Sequence, residues 1–238
     1  MKTIKQLSFF ILLLVAATSC FEEFNIRGNG VDATQTRAVT TFNRVKTSGD
    51  FDVQITKGDV TEVVLNAEEN ILPYIETSVS DGTLHIDIHG VKTVNNRLPM
   101  SVFITVPELL SAKQSGSGTI TTGYFSADKM EFSISGSGSI STEVDAKLID
   151  ASISGSGWIL IKGTAKQSNL SISGSGNIDS SGLTVDDCNA HISGSGNIQV
   201  NATQSLYAKI SGSGNVFYAG NPVKESNVSG SGKVIHNN

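Results

Sequence analysis

The sequence predicts an all-β protein whose chain winds into a right-handed single-stranded β-helix (β-solenoid) with coils of about 18–20 residues. The tetrapeptide Ser-Gly-Ser-Gly recurs seven times at that interval, and self-similarity at such a period indicates stacked repeats. Isoleucine or valine flanks almost every copy at alternating positions, which favours strands over helices. One repeat makes a coil of two or three short strands, because an extended residue spans about 3.3 Å. The copies begin at Ser115, Ser135, Ser154, Ser173, Ser193, Ser211 and Ser229.

Residues 1–19 are predicted to be a lipoprotein signal peptide. Lys2 and Lys5 precede a short apolar run, and small residues follow directly before Cys20. A charged start and a run too short to span a membrane are typical of a secretory signal. The small residues before Cys20 resemble a bacterial lipobox, which implies cleavage at this point and lipidation of Cys20. The alternative is an ordinary signal peptide followed by an incidental cysteine.

Residues 20–38 are predicted to form a polar tether between the lipid and the folded domain. Glu22 and Glu23, just after the cysteine, resemble the surface-export signal of Bacteroidota-like lipoproteins. A solvated spacer without any signal is the alternative. We therefore expect an outer membrane lipoprotein that contacts the membrane through its N-terminal lipid and faces either the cell surface or the periplasm.

The charge of the chain limits its expected binding partners, and its cysteine content limits the disulfides it can form. Cleavage would remove Lys2 and Lys5 and leave 15 basic against 22 acidic side chains, and an acidic chain is a poor partner for nucleic acid. Apart from Cys20, the chain has a single cysteine, Cys188, so acylation of Cys20 would preclude an intramolecular disulfide. Cys188 shares the parity of the isoleucines and is expected to point inward as a small core residue.

Residues 39–238 are predicted to form the β-solenoid. The segment 39–110 lacks the tetrapeptide but alternates as strands do, and it is expected to supply irregular first coils and a cap, because solenoids need atypical end units. Residues 48–53 look like a degenerate copy of the repeat. In residues 111–238 the serines are expected to face outward and to form hydrogen-bonded ladders along the stack. The paired glycines are expected at corners or at close contacts between coils.

These motifs together resemble the putative auto-transporter adhesin, head GIN domain family over about residues 42–220. The resemblance rests on residues 48–55, 69–73 and 81–84 and on the Ser-Gly-Ser-Gly-Asn-Ile copies at Ser173 and Ser193. It implies a right-handed β-helical fold and a location in the cell envelope. It brings no catalytic residues.

Trp158 is the candidate ligand contact. It stands directly after a tetrapeptide, where other copies have asparagine, and its parity points the only tryptophan of the chain outward. An exposed indole can stack on a sugar or anchor a protein partner. The alternative is that it packs against a neighbour such as Tyr124 or Phe125.

A weaker candidate is a metal site formed by His85, Asp87 and His89. On a strand these side chains share one face, and two imidazoles with a carboxylate can coordinate an ion. Successive outward side chains lie nearly 7 Å apart, however, so a solvated polar face is the favoured interpretation. No metal and no other cofactor is predicted.

The predicted function is that of a non-enzymatic cell-envelope lipoprotein, an adhesin or binding scaffold that presents a polar solenoid face to a host or cell-surface glycan or protein. One alternative is a periplasmic scaffold that maintains the envelope. Another is a β-helix enzyme acting on polysaccharide, which is disfavoured because the acidic residues of the repeats are not expected to share a column. Self-association through an unpaired strand edge at the last coil is a further hypothesis.

Overall fold

The computed structural model describes residues 24–237, so the predicted signal peptide and Cys20 lie outside the described residues. The chain forms a nearly all-β solenoid of about seven turns, which confirms the predicted fold class. One short 3₁₀ helix, Leu72–Tyr74, interrupts the strands. Among residues 24–237, no helix has the length and apolar character needed to cross a membrane.

The described residues contain eighteen strands. Those of the N-terminal part are β1 Phe24–Arg27, β2 Asp32–Arg37, β3 Arg44–Ser48, β4 Asp52–Lys57, β5 Glu62–Glu68, β6 Ile75–Ser80, β7 Thr83–Ile88, β8 Val91–Asn95 and β9 Ser101–Val106. Those of the repeats are β10 Ser111–Gly116, β11 Thr119–Gly136, β12 Ser139–Gly155, β13 Trp158–Gly174, β14 Asn177–Gly194, β15 Asn197–Gly212, β16 Asn215–Ala219, β17 Val223–Gly230 and β18 Lys233–His236.

Successive coils pair in parallel and in register. Ile134 lies over Ile153, and Ile153 lies over Ile172, so equivalent isoleucines stack into one continuous buried column. Differences in coil length are absorbed by local register shifts, for example between Leu160 and Gly163. The tetrapeptide therefore occupies the same place in every coil.

Two constraints account for the glycines of the tetrapeptides. Gly136 has a φ of +122°, a region that residues with a Cβ rarely adopt, and it ends its strand at a corner. Gly138 is buried, and a Cβ placed on it would lie 2.5 Å from the carbonyl oxygen of Gly118 in the preceding coil. Corners and close coil contacts, the two places predicted for glycine, are thus both occupied.

The expected serine ladders are largely absent. Among the tetrapeptide serines, all of which the structure describes, one pair is joined by a hydroxyl–hydroxyl hydrogen bond, Ser231 to Ser213 at 3.0 Å. Amide ladders take their place: the side-chain amide of Asn197 donates to Asn177, and that of Asn215 donates to Asn197, each at 3.1 Å. An amide carries both a donor and an acceptor, so it can continue a ladder through many coils, as fits the asparagine copies of the repeat.

The N-terminal part begins as a coil and ends as a cap. Ser48 pairs with Ser115 and Val53 with Ile120, so residues 48–53 do form a degenerate copy of the repeat. Beyond this coil the pairing turns antiparallel, with β6 on β7 and β5 on β9. Residues 24–27 and 32–37, predicted as tether, are instead strands, and β2 pairs antiparallel with β5. Backbone hydrogen bonds form this pairing, and they need no apolar side chains, which explains why a polar sequence gave no signal.

A buried carboxylate fastens the cap. Glu68 is fully buried and accepts backbone hydrogen bonds from Gly30 at 2.6 Å and Arg97 at 2.7 Å. Burial by itself would raise the pKa of Glu68, but the backbone N–H groups of Arg97, Gly30 and Leu98, with the charge of Arg97, hold it below its ordinary value. Three separate segments of the N-terminal part therefore meet at one side chain.

Several inward positions depart from the aliphatic pattern, among them Gln114 and Cys188. Gln114 replaces isoleucine before the first tetrapeptide and is buried; the hydroxyl of Thr47 donates to its carbonyl, and its amide donates to the carbonyl of Gly49 at 2.8 Å. Cys188 points inward as predicted and is buried. Burial raises the pKa of its thiol to about 11, against a small opposing effect of Ser168. Cys188 is thus an unreactive part of the core.

Candidate ligand-binding groove

A groove with a volume of about 480 Å³ runs across the stacked coils on one outer face. Two outward columns of side chains border it, one on each side of the inward column that contains Ala151 and Leu170. The first column consists of Glu131, Asp150, Asn169, Asn189 and Tyr207. The second column consists of Ser133, Ser152, Ser171, His191 and Lys209.

A hydrogen-bonded ladder runs through the middle of the first column, from Asp150 through Asn169 to Asn189. Lys129 forms an ion pair with Asp150 at 2.7 Å, and the amide of Asn169 donates to Asp150 at 2.8 Å. The amide of Asn189 then donates to the carbonyl oxygen of Asn169 at 3.0 Å. The carbonyl oxygen of Asn189 has no hydrogen bond among the described residues, and Tyr207 stands next to Asn189 in register in the next coil.

The second column changes its chemistry along the stack. It begins with serines, of which Ser152 donates to Ser133 at 3.0 Å, and it continues to His191 and Lys209 on adjacent strands. Lys209 forms no ion pair with any residue in the range 24–237, whereas Lys129 does. One end of the groove therefore has side chains bound to each other, and the other end has a histidine and an unpaired cation.

Each of the two carboxylates that line the groove forms an ion pair with a lysine. Lys113 binds Glu131 at 2.7 Å. Burial alone would raise the pKa of Asp150, but the hydrogen bonds from Lys129 and Asn169 and the charge of Lys129 outweigh it and hold this pKa below its ordinary value. The hydrogen bond and charge of Asp150 in turn raise the pKa of Lys129. Asp150 is thus held ionised as a fixed acceptor.

Comparison with known proteins identifies the family. The model of the putative auto-transporter adhesin, head GIN domain family matches residues 41–222, well over half of the chain. The chain belongs to this family. No curated protein matches the sequence.

Solved structures support the same assignment. A putative adhesin from Bacteroides fragilis NCTC 9343 is 26% identical, with a TM-score of 0.85, over 89% of this chain and 100% of that one. A putative adhesin from Parabacteroides distasonis ATCC 8503 is 26% identical, with a TM-score of 0.70, over 90% and 100%. A putative lipid binding protein from the same organism, 24% identical with a TM-score of 0.79 over 90% and 100%, shares the fold.

Trp158 points outward in this head GIN domain, as predicted, with 44% of its surface exposed. It opens β13, in register with Ser139 and Asn177, and it does not line the groove. Phe125 is buried, and no ring–ring contact joins Trp158 to it or to Tyr124 within the described range. The exposed indole is available to a ligand, and its role as a ligand contact stays a prediction.

The candidate metal ligands are engaged separately. His85 is hydrogen-bonded to Ser80 at 3.1 Å, Asp87 accepts from the backbone N–H of Ile88 at 2.7 Å, and His89 lies beyond the end of β7, 3.8 Å from Glu76. In the part of the chain that the structure describes, no three His, Cys, Asp or Glu side chains are grouped so as to hold a metal ion.

The groove was not predicted from the sequence, and the expectation that the acidic residues of the repeats share no column was wrong. Glu131 and Asp150 do share a column, which Asn169 and Asn189 continue. The signal was present, because each member of the first column stands four residues before a tetrapeptide. Acidic residues alone do not reveal this column, because its members change from carboxylates to amides and then to a phenol along the stack.

Proposed function

We propose that this chain is a non-enzymatic lipoprotein of the cell envelope that binds a saccharide in the groove. Membership of an adhesin family supports a binding role in the envelope or at the cell surface. The observation that carries the proposal is a set of polar groups that face the groove without a partner among residues 24–237. They are the carbonyl oxygen of Asn189, the hydroxyl of Tyr207 and the side chains of His191 and Lys209.

The dimensions and chemistry of the groove suit a short stretch of sugar rings. Its volume of about 480 Å³ falls within the range of roughly 300–1,000 Å³ that is usual for small-ligand sites. Tyr207 is 38% exposed and offers an aromatic face for a pyranose ring, while Asn189 and Ser171 offer hydrogen-bonding groups for hydroxyls. Because the ladder already fixes Asn189, little conformational entropy would be lost on binding.

The chemistry of the groove favours binding over glycoside cleavage. A glycosidase needs one carboxyl group that stays protonated to act as the general acid. Asp150 has a lowered pKa and is bound by Lys129 and Asn169, and Glu131 is bound by Lys113. These carboxylates orient other side chains, so they suit a rigid recognition surface.

The lipid anchor and the location are also part of the proposal. Lipidation of Cys20 follows from the resemblance of its flanking residues to a lipobox, and the family favours the envelope. Mass spectrometry of the membrane fraction is expected to find an N-terminal Cys20 that is lipidated on its sulfur and on its amine, and the Cys20→Ser variant should leave that fraction. Protease treatment of intact cells then tests exposure, since a surface protein is degraded and a periplasm-facing one is protected.

Binding is tested with the mature chain on an array of neutral and anionic glycans. We expect Tyr207→Ala to weaken binding about tenfold, because a truncated aromatic contact often removes more than 1 kcal/mol. Tyr124, a tyrosine outside the groove that is more exposed than Tyr207, supplies the control, and Tyr124→Ala should not change the affinity. If neither substitution changes the affinity, the ligand binds outside the groove. Trp158→Ala then tests whether the exposed indole is the binding site. No saccharide binding, together with a leaky envelope on gene deletion, would favour the periplasmic scaffold instead.

A further inference from the structure

We infer that the groove selects an anionic saccharide, whose carboxylate or sulfate group binds between Lys209 and His191. This inference rests on the proposed function and names the class of saccharide. The two side chains stand in register on β15 and β14, on neighbouring strands about 4.8 Å apart. Both line the groove.

The unpaired state of Lys209 is the first observation. Every other lysine that touches the groove or its ladder is engaged: Lys113 binds Glu131 and Lys129 binds Asp150, both at 2.7 Å. Lys209 lines the groove and has no ion pair among the described residues. Lys113 stands in register with Ser133 and so continues the second column by one coil. Its ammonium group reaches diagonally to Glu131, which belongs to the first column in the next coil. The diagonal equivalent for Lys209 is Glu225, and the two do not form an ion pair.

The position of Tyr207 is the second observation. Tyr207 and Lys209 stand on the same outward side of β15, about 6–7 Å apart along the strand. A sugar ring that stacks on Tyr207 therefore places a substituent within reach of the flexible Lys209 ammonium group. The acceptor oxygen of Asn189, next to Tyr207 in register, is left for the hydroxyl groups of the same ring.

The overall charge makes the local cation decisive. The whole chain carries a formal net charge of −5, so its long-range field repels an anion and does not attract polyanions in general. Selectivity for an anionic sugar must then come from His191 and Lys209 themselves. Because Lys209 is the unpaired lysine of the groove, substituting Lys209 alone should remove this selectivity.

The test is calorimetric titration of the mature chain with three matched tetrasaccharides. They are a hexuronic acid tetramer, its uncharged methyl ester and a sulfated tetramer. We expect the acid or the sulfated probe to bind at least about tenfold more tightly than the ester, as one charge-assisted contact allows. Which of the two binds more tightly distinguishes carboxylate from sulfate as the recognised group.

Variants assign the effect to Lys209. We expect Lys209→Gln to lower the affinity for the anionic probes to that for the ester, while the affinity for the ester stays the same. Lys209→Arg should keep the preference for the anionic probes. Glu225→Gln should strengthen anion binding, because it removes the carboxylate that stands diagonally to Lys209. Lys166→Gln, an exposed lysine outside the groove, is the control. Circular dichroism verifies that each variant is folded.

The outcomes separate the two proposals. Equal affinity for acid, sulfated probe and ester, with binding lost in Tyr207→Ala, overturns the anionic preference and leaves saccharide binding intact. Failure of all three probes to bind counts against saccharide binding itself. An anionic preference that survives in Lys209→Gln shows that the charge is recognised elsewhere and overturns the assignment.

Discussion

The strongest structural prediction concerns Gly194, the first glycine of its tetrapeptide. We expect Gly194→Ala to destabilise the solenoid, because the residue meets two constraints at once. Its φ is +131°, and a Cβ built on it would lie 2.2 Å from the carbonyl oxygen of Gly174 in the coil below. Backbone atoms cannot rotate away as a side chain can, so the coils themselves would have to separate.

The magnitude follows from these two terms. An L-residue forced into a left-handed conformation costs about 1–2 kcal/mol, and overpacking costs about 1–3 kcal/mol. The expected loss is therefore about 2–5 kcal/mol of the free energy of unfolding. For a domain of this size that corresponds to a fall in Tm of roughly 4–20 °C.

Gly182→Ala is the matched control, because it is the same chemical change on the same strand, β14. A Cβ on Gly182 approaches only the flexible side chain of Lys162, at 3.0 Å, so we expect a change of less than about 1 kcal/mol in either direction. Thermal and urea unfolding are followed by circular dichroism and by the fluorescence of Trp158. If Gly194→Ala shifts the midpoints no more than Gly182→Ala does, the close-contact reasoning is wrong.

Two further predictions concern the ends of the solenoid. The lowered pKa of Glu68 means that its stabilising effect is present above its ordinary value of 4.5 and is lost as the pH falls through the folded value. Glu68→Gln should therefore lower Tm at pH 7 and flatten its decline on acidification, whereas Glu62→Gln, an exposed position on the same strand, should do neither. At the other end, Lys224 of β17 occupies the inward column above Leu206, and an inward charge opposes pairing of an open strand edge. Lys224→Val should increase the mass measured by light scattering at high concentration, and Lys166→Val is the control. An unchanged mass in Lys224→Val would show that Lys224 does not prevent pairing at this edge.

Self-association of the natural chain through the edge formed by β17 stays a prediction. Among residues 24–237, β17 pairs with β15 on one side alone, and its residues are exposed. Val223 and Val228 give that edge an apolar character, with 80% and 41% of their surfaces exposed. Lys224 stands between them and carries its charge over the ring of Tyr218, 5.6 Å from the centroid. The edge thus combines features that favour pairing with one that opposes it.

The sequence alone determined the fold class, the number of repeats and the direction of most side chains in the repeats. These follow from local rules: alternation sets which residues face inward, and the requirement for a missing Cβ at Gly136 and Gly138 fixes the corners. Cys188 and Trp158 were placed on the correct sides for the same reason. Each inference needed only a few neighbouring residues, so no knowledge of distant contacts was necessary.

The tertiary structure decided what each outward residue touches. The ladder from Asp150 to Asn189 joins residues 19 and 20 positions apart, and its existence depends on coils of unequal length returning to the same register. Glu68 is buried by backbone groups 29 to 38 residues away, a contact that no local pattern reveals. Periodicity therefore specifies the rod, whereas the groove and the cap arise from packing between segments that are far apart in the chain.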